Sequence, residues 1–151
     1  MHNLNGHQII LAFDYGLKQM GVATGQTLTG SARGLCILKA HDGIPNWDEV
    51  SKLLNEWTPD LVLVGLPLNM DASESELSRL ARKFARRLQG RFNANVLMVD
   101  ERLTSQDAKA LIREENNEGK KGRTDLTKID HLAAALILQS WLDQPDLGQQ
   151  P

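Results

Sequence analysis

Acidic residues stand at the ends or edges of three apolar runs. Asp14 closes the run IILAFD, the pair Asp100-Glu101 comes directly after NVLMV, and Asp130 opens the apolar stripe of KIDHLAAALILQSWL. Ionised carboxylates are seldom buried unless they are paired or bind a cation. Each acid also has a plain explanation. Asp14 can bond the turn at Gly16, and Asp100 or Glu101 can pair with Arg102. Asp130 can be a first-turn helix acid favoured by the dipole, although Asp125 is better placed to cap. Taken together, the end of the first strand, the end of the last strand and the final helix can converge at one sheet edge. Carboxylates gathered there repel one another unless cations neutralise them. Hard oxygen ligands of this kind suit Mg²⁺ or Mn²⁺. Two such ions about 4 Å apart can activate water and stabilise the leaving oxygen in phosphodiester cleavage. Gly16 is expected to leave room beside Asp14 for a phosphate backbone.

The cations point the same way. Arg79, Arg82, Lys83, Arg86, Arg87 and Arg91 follow one another with no acid between them, opposite an apolar stripe of Leu77, Leu80, Ala81, Phe84 and Leu88. Cations late in a helix complement its dipole, as Glu74 and Glu76 do at its start. Six exceed that need, and phosphate contact is the natural use of the remainder. Lys120, Lys121 and Arg123 add a basic patch in a polar, glycine-rich loop, for which a solvated loop is an equal reading.

Elements that could position these groups follow from periodicity. Ile9 to Tyr15, Met20 to Thr24 and Arg33 to Lys39 read as three strands, and their short spacing favours antiparallel pairing. WDEVSKLLNEW after Asn46 has helical spacing, with Asn46 and Glu49 as cap and partner and Thr58-Pro59 as terminator. DLVLVG and NVLMV are continuous apolar strands of the doubly buried kind. Between them Ser73 to Leu88 reads as a helix, with a capping box at Ser73 and Glu76. Thr104 and Asp107 cap a helix to about Arg113, and a last helix runs from about Thr127 to Leu142. The order implies an α/β fold: a mixed five-stranded sheet, three antiparallel strands first, with helices packed on it. Residues 1–143 read as one domain and 144–151 as a disordered tail.

Composition sets bounds. The chain has 151 residues, 41% hydrophobic and 24% charged, and a net charge of −2, so it suits a single globular domain and no partner by charge alone. Aromatic content of 5% argues against a stacking platform for single strands. The single cysteine, Cys36, excludes an internal disulfide, and the four histidines lack metal-ligand spacing. No run approaches a membrane span, and a cytoplasmic protein without membrane association is expected.

FDYGLKQMGVA, VGLPLNMDAS, DERLTS and KIDHLAAALIL, in this order, resemble the YqgF/RuvX family of Holliday-junction-resolvase-like proteins. The resemblance covers about Ile9 to Leu142. It implies a ribonuclease H-like fold and a metal-dependent nuclease. The family is associated with maturation of the 5′ end of 16S ribosomal RNA from its precursor and, in an older proposal, with resolution of four-way DNA junctions. Pre-rRNA, branched DNA and ribosomal precursor particles are the partners it implies. The family's acids match Asp14, Glu101 and Asp130, with Asp100 the less certain neighbour. Lys18, Asn69, Arg102, Thr104 and Ser105 are expected to orient the site or contact phosphate. Family members often carry a basic pair after the first glycine. Here Lys18 is followed by Gln19, which bears on a phosphate contact at position 19 and not on the metal site. Two other readings remain: an ATP-binding domain of the actin and sugar-kinase type, which normally needs a second such domain, and a non-catalytic nucleic-acid or ribosome-assembly factor.

Overall fold

The computed structural model describes residues 7–103 and 126–151, and side chains only within 7–102 and 132–151. Six strands form one sheet in the order β4-β3-β2-β1-β5-β6. β1 (Ile9–Asp14), β2 (Gln19–Gln26) and β3 (Ser31–His41) are antiparallel, whereas β5 (Leu61–Leu66) runs parallel to β1 and β6 (Val96–Asp100) parallel to β5. This is the expected mixed sheet with one strand more. The addition, β4 (Ile44–Pro45), is two residues long and carries a proline, which suits an edge and leaves no periodicity to detect. Its turn was nevertheless written in the sequence. Asp42 and Gly43 both take positive φ, 51° and 81°, as an Asp-Gly hairpin turn requires.

Strand alternation divides β1 between two cores. Leu11 and Phe13 face one layer with Val62, Val64 and Met98, covered by α1 (Trp47–Trp57) and α2 (Glu76–Phe92). Ile10 and Ala12 face the other with Leu61, Leu63 and Val99, covered by α3 (Leu126–Asp143) through Ala134, Ala135, Ile137, Leu138 and Trp141. All six residues of β5 are buried, as a strand sandwiched between helices demands.

Local chemistry sets the helix limits. The Asn46 side chain accepts the Asp48 N–H at 2.9 Å to start α1, and Thr58 ends it in a left-handed conformation (φ 40°) before Pro59. α2 starts later than expected, because Ser73 is engaged in the preceding loop. Its backbone N–H and its hydroxyl both donate to Asp71, at 3.0 and 2.5 Å. Ser75 and Ser78 make the capping box instead, exchanging bonds of 2.9 and 2.7 Å.

The segment 144–151, expected to be disordered, follows a definite path. Pro145–Leu147 form a short 3-10 turn, and Gln149 exchanges two backbone bonds with Met98 of β6, at 2.7 and 2.9 Å. The unpaired side of β6 offered those hydrogen-bonding groups, and composition could not reveal it. The expected helix 104–113 lies outside the described residues.

Candidate active site

Asp14 is the last residue of β1 and lies on the Ile10/Ala12 face, the side covered by α3. Across the sheet, β6 ends at Asp100, and Glu101 opens a 3-10 turn, Glu101–Leu103. One whole strand, β5, separates the two acids, and Gly65 makes their meeting possible. A Cβ on Gly65 would lie 2.6 Å from Glu101 Oε1 and 2.5 Å from Ile137 Cδ1. The Glu101 carboxyl group therefore lies over the bare backbone of residue 65 and hydrogen-bonds Asp14. Burial, then the bond to Asp14, then the charges of Asp14 and Asp100, push the Glu101 carboxyl up to about 8 from its ordinary 4.5. At neutral pH the pair holds a proton between two carboxyl groups.

Such a pair fits a divalent cation. Its donors are hard oxygens, and a cation can replace the shared proton while removing the repulsion that retains it. Asp130 lies on α3, four residues before Ala134 and seven before Ile137. That is the helical register of the face whose Ile137 meets Gly65. Its side chain lies outside the described residues. Among the described residues, no group of three or more acids, histidines or cysteines forms a metal-ligand cluster.

Asp100 has a different part. It pairs with Leu66 in the sheet and so belongs to the opposite face. It is 3% exposed, and both its oxygens are occupied by Arg102. The backbone N–H of Arg102 donates at 2.9 Å, Nε at 3.1 and 3.2 Å and Nη2 at 2.6 Å. Burial alone would raise the Asp100 carboxyl, but the Arg102 bonds and charge outweigh it and hold the group below its ordinary range. Arg102 also donates through Nη1 to the Met70 carbonyl at 3.2 Å, which ties the end of β6 to the loop after β5. Of the alternatives open to Arg102, the structure shows an ion pair with Asp100.

Asn69 lies in that loop and organises it. Its Nδ2 donates to the Ser73 hydroxyl at 3.0 Å and to the Glu74 carbonyl at 3.4 Å. Lys18 is exposed in the turn between β1 and β2. Gly16 does not provide the expected space for a phosphate: a Cβ there would lie 2.3 Å from the Gln19 carbonyl oxygen, so its bareness serves the turn itself. The basic helix lies on the other face of the sheet from Asp14 and Glu101. Arg79 pairs with Glu76, Arg82 with Glu74 at 2.7 Å, and the Arg91 guanidinium lies 4.3 Å from the Trp47 ring centre. Among the described residues Lys83, Arg86 and Arg87 form no ion pair. Thr104, Ser105, Lys120, Lys121 and Arg123 lie outside the described residues.

Sequence reasoning did not single out Gly65. Its signal was a lone glycine inside the run LVLVGL, which marks a close approach to the backbone.

A mixed sheet of antiparallel strands followed by parallel ones, with helices on both faces, is the ribonuclease H-like fold. Solved structures with this fold include Thermus thermophilus RuvC bound to a Holliday junction substrate (TM-score 0.57, 17% identity, 93% of this chain and 98% of that one). The fowlpox virus resolvase with its Holliday junction DNA matches at TM-score 0.54 and 19% identity, over 91% and 98% of the two chains. The chain belongs to the RuvX Holliday junction resolvase family, whose model matches residues 8–144. Relatives include proteins named "Putative pre-16S rRNA nuclease" from Pseudomonas fluorescens strain Pf0-1 and Shewanella denitrificans strain OS217. The first is 54% identical over 139 residues (91% of this chain, 93% of the relative), and the second 52% over 139 residues (91% and 95%). Among the described residues no helix is long and apolar enough to cross a membrane.

Proposed function

We propose that this protein is a metal-dependent nuclease that hydrolyses phosphodiester bonds of precursor 16S ribosomal RNA, acting in the cytoplasm on ribosomal precursor particles. The observation that carries the reading is the Asp14–Glu101 pair, two carboxyl groups drawn together over Gly65. Bringing acids into contact costs stability unless the site has a cation to hold. Asp14 and Glu101 would bind Mg²⁺ or Mn²⁺, with Asp130 as third ligand. Bound there, the ion would polarise the phosphate and make water a stronger nucleophile. The protein's own contribution is positional. The hydrogen-bonded sheet fixes Asp14, the glycine gap fixes Glu101, and the Arg102–Asp100 pair holds the turn from which Glu101 projects. Glu101 would hold the ion as its carboxylate beside Asp14, its proton passing to solvent.

Cleavage of four-way DNA junctions is the second reading, favoured by the family itself and by the RuvC-type fold. Purified protein would be incubated with a precursor rRNA fragment and a four-way junction side by side, in Mg²⁺ and in Mn²⁺. The RNA is expected to be cut, and Asp14→Asn to be inactive. Cutting of the junction alone supports the second reading. Full cleavage by Asp14→Asn, or none by the unaltered protein on either substrate, overturns both.

A further inference from the structure

Behind the end of β1, on the sheet face away from the acids, lies a pocket open to solvent. Tyr15, Trp47 and Phe84 form its aromatic wall, and Ile44, Lys83 and Arg87 stand at its mouth. The wall is tightly built. Trp47 stacks near Phe84 with ring centres 5.9 Å apart, and Tyr15 lies 5.4 Å from the same ring. The Tyr15 hydroxyl is used, donating to the Gly43 carbonyl at 3.0 Å. Asp42, the acid on the rim, lies 3.7 Å from His41. Arg87 is only half exposed, yet among the described residues neither it nor Lys83 has a carboxylate partner. Two unpaired cations beside an aromatic wall suit an anion attached to a flat, partly apolar body.

We propose that this pocket takes a nucleotide unit of a nucleic-acid strand, its phosphate on Arg87 and Lys83 and its base or sugar against Ile44 and Trp47. The source of that nucleotide rests on the nuclease reading above. The pocket and the acids share one strand end, since Tyr15 directly follows Asp14 and faces the opposite way. A strand laid across this sheet end would meet both. The pocket thus extends the substrate track to the second face and gives the basic helix a part in binding, despite its distance from the acids.

The test is binding in EDTA, where no metal-dependent cleavage intervenes. A fluorescent single-stranded hexanucleotide, adenosine monophosphate and poly-glutamate would each be titrated against the protein. The same titrations would be run on Lys83→Gln/Arg87→Gln and on Lys52→Gln, an exposed cation of α1. The double variant is expected to bind the hexanucleotide at least tenfold more weakly. Its salt dependence should flatten by about 0.7 in logarithmic slope, the value for one lost phosphate contact on a single strand. Lys52→Gln is expected to change affinity less than twofold. A free-nucleotide site would show as adenosine monophosphate binding as tightly as the hexanucleotide, which overturns the proposal, as does poly-glutamate competing equally. Unchanged binding by the double variant also overturns it, and so does equal weakening in Lys52→Gln. Thermal melts establish that both variants are folded, and Arg87→Lys should recover part of the affinity. Loss of binding in the double variant of a protein that cleaves nothing would leave the pocket standing and remove the nuclease reading. Normal binding by the double variant of an active nuclease would do the reverse.

Discussion

Glu101 reaches Asp14 because residue 65, on the strand between them, has no side chain. A methyl group there would meet the Glu101 carboxyl oxygen at 2.6 Å and Ile137 at 2.5 Å. Gly65→Ala should therefore displace Glu101 and lift α3. Overpacking of this kind costs about 1–3 kcal/mol, which a denaturant titration would resolve. Nuclease activity should fall at least tenfold while the protein remains folded. Normal activity in Gly65→Ala would show that Glu101 need not lie where it does.

Asp14→Asn should separate stability from activity. Several kcal/mol of transition-state stabilisation is at stake, so cleavage should fall by about 10³-fold. In the absence of metal the same change removes the charge that faces Glu101, so the variant should melt at a higher temperature than the unaltered protein near pH 8. A variant both inactive and destabilised in EDTA would contradict the mutual repulsion of the pair.

The raised Glu101 carboxyl gives stability a direction with pH. The folded protein keeps the proton up to about pH 8, whereas the unfolded chain releases it near the ordinary value of 4.5. Between these values the folded state binds more protons, so raising the pH destabilises it. The contribution is complete below about pH 4.5 and lost by about pH 8. Melting temperatures in EDTA, compared with those of Glu101→Gln to cancel other groups, should fall across this window for the unaltered protein alone. Saturating Mg²⁺ or Mn²⁺ should offset the loss at the alkaline end. A constant difference between the two proteins would sink the claim.

Arg102→Ala should loosen two things at once. It strips the buried Asp100 of its partner and releases the Met70 carbonyl in the loop after β5. Thermal stability should fall, and proteolysis within residues 67–75 should accelerate. Arg102→Lys should restore only part of both, because an ammonium cannot grip both carboxylate oxygens as a planar guanidinium does. Equal protection of the loop in all three proteins would remove the proposed tie.

The acids were legible because charge at the end of an apolar strand is costly wherever the chain folds, and that cost can be read from the sequence. The end of β6 met Asp14 as its position implied, but position left Asp100 and Glu101 open, and strand alternation in the sheet puts Glu101 on the face of Asp14. What periodicity could not supply was the distance between them. Alternation puts both near one sheet end, but only the order of the strands shows that β5 intervenes and that its glycine must yield the space. Strand order also explains why the six cations of α2 were read too simply. Their spacing correctly implied one exposed helix face, but the sheet face that α2 would cover depends on its crossover. Ser73 misled for a local reason: it and Ser75 are equally good caps by type, and Asp71 decides between them. Residues 144–151 were composed like a free end, yet they found unpaired backbone on β6 that no composition discloses.

Asp14 and Tyr15 are neighbours in sequence, yet one serves the acid pair under α3 and the other walls the aromatic pocket under α2. The two compartments are thus coupled by the phase of a single strand. A slip of one residue along β1 would seat a phenol among the acids and a carboxylate among the rings, spoiling both rooms in one stroke. The tight turn at Gly16 and the Tyr15–Gly43 bond hold that phase from either side. An insertion between residues 16 and 18, though it touches no ligand and lies on the surface, should therefore be as harmful as the loss of an acid.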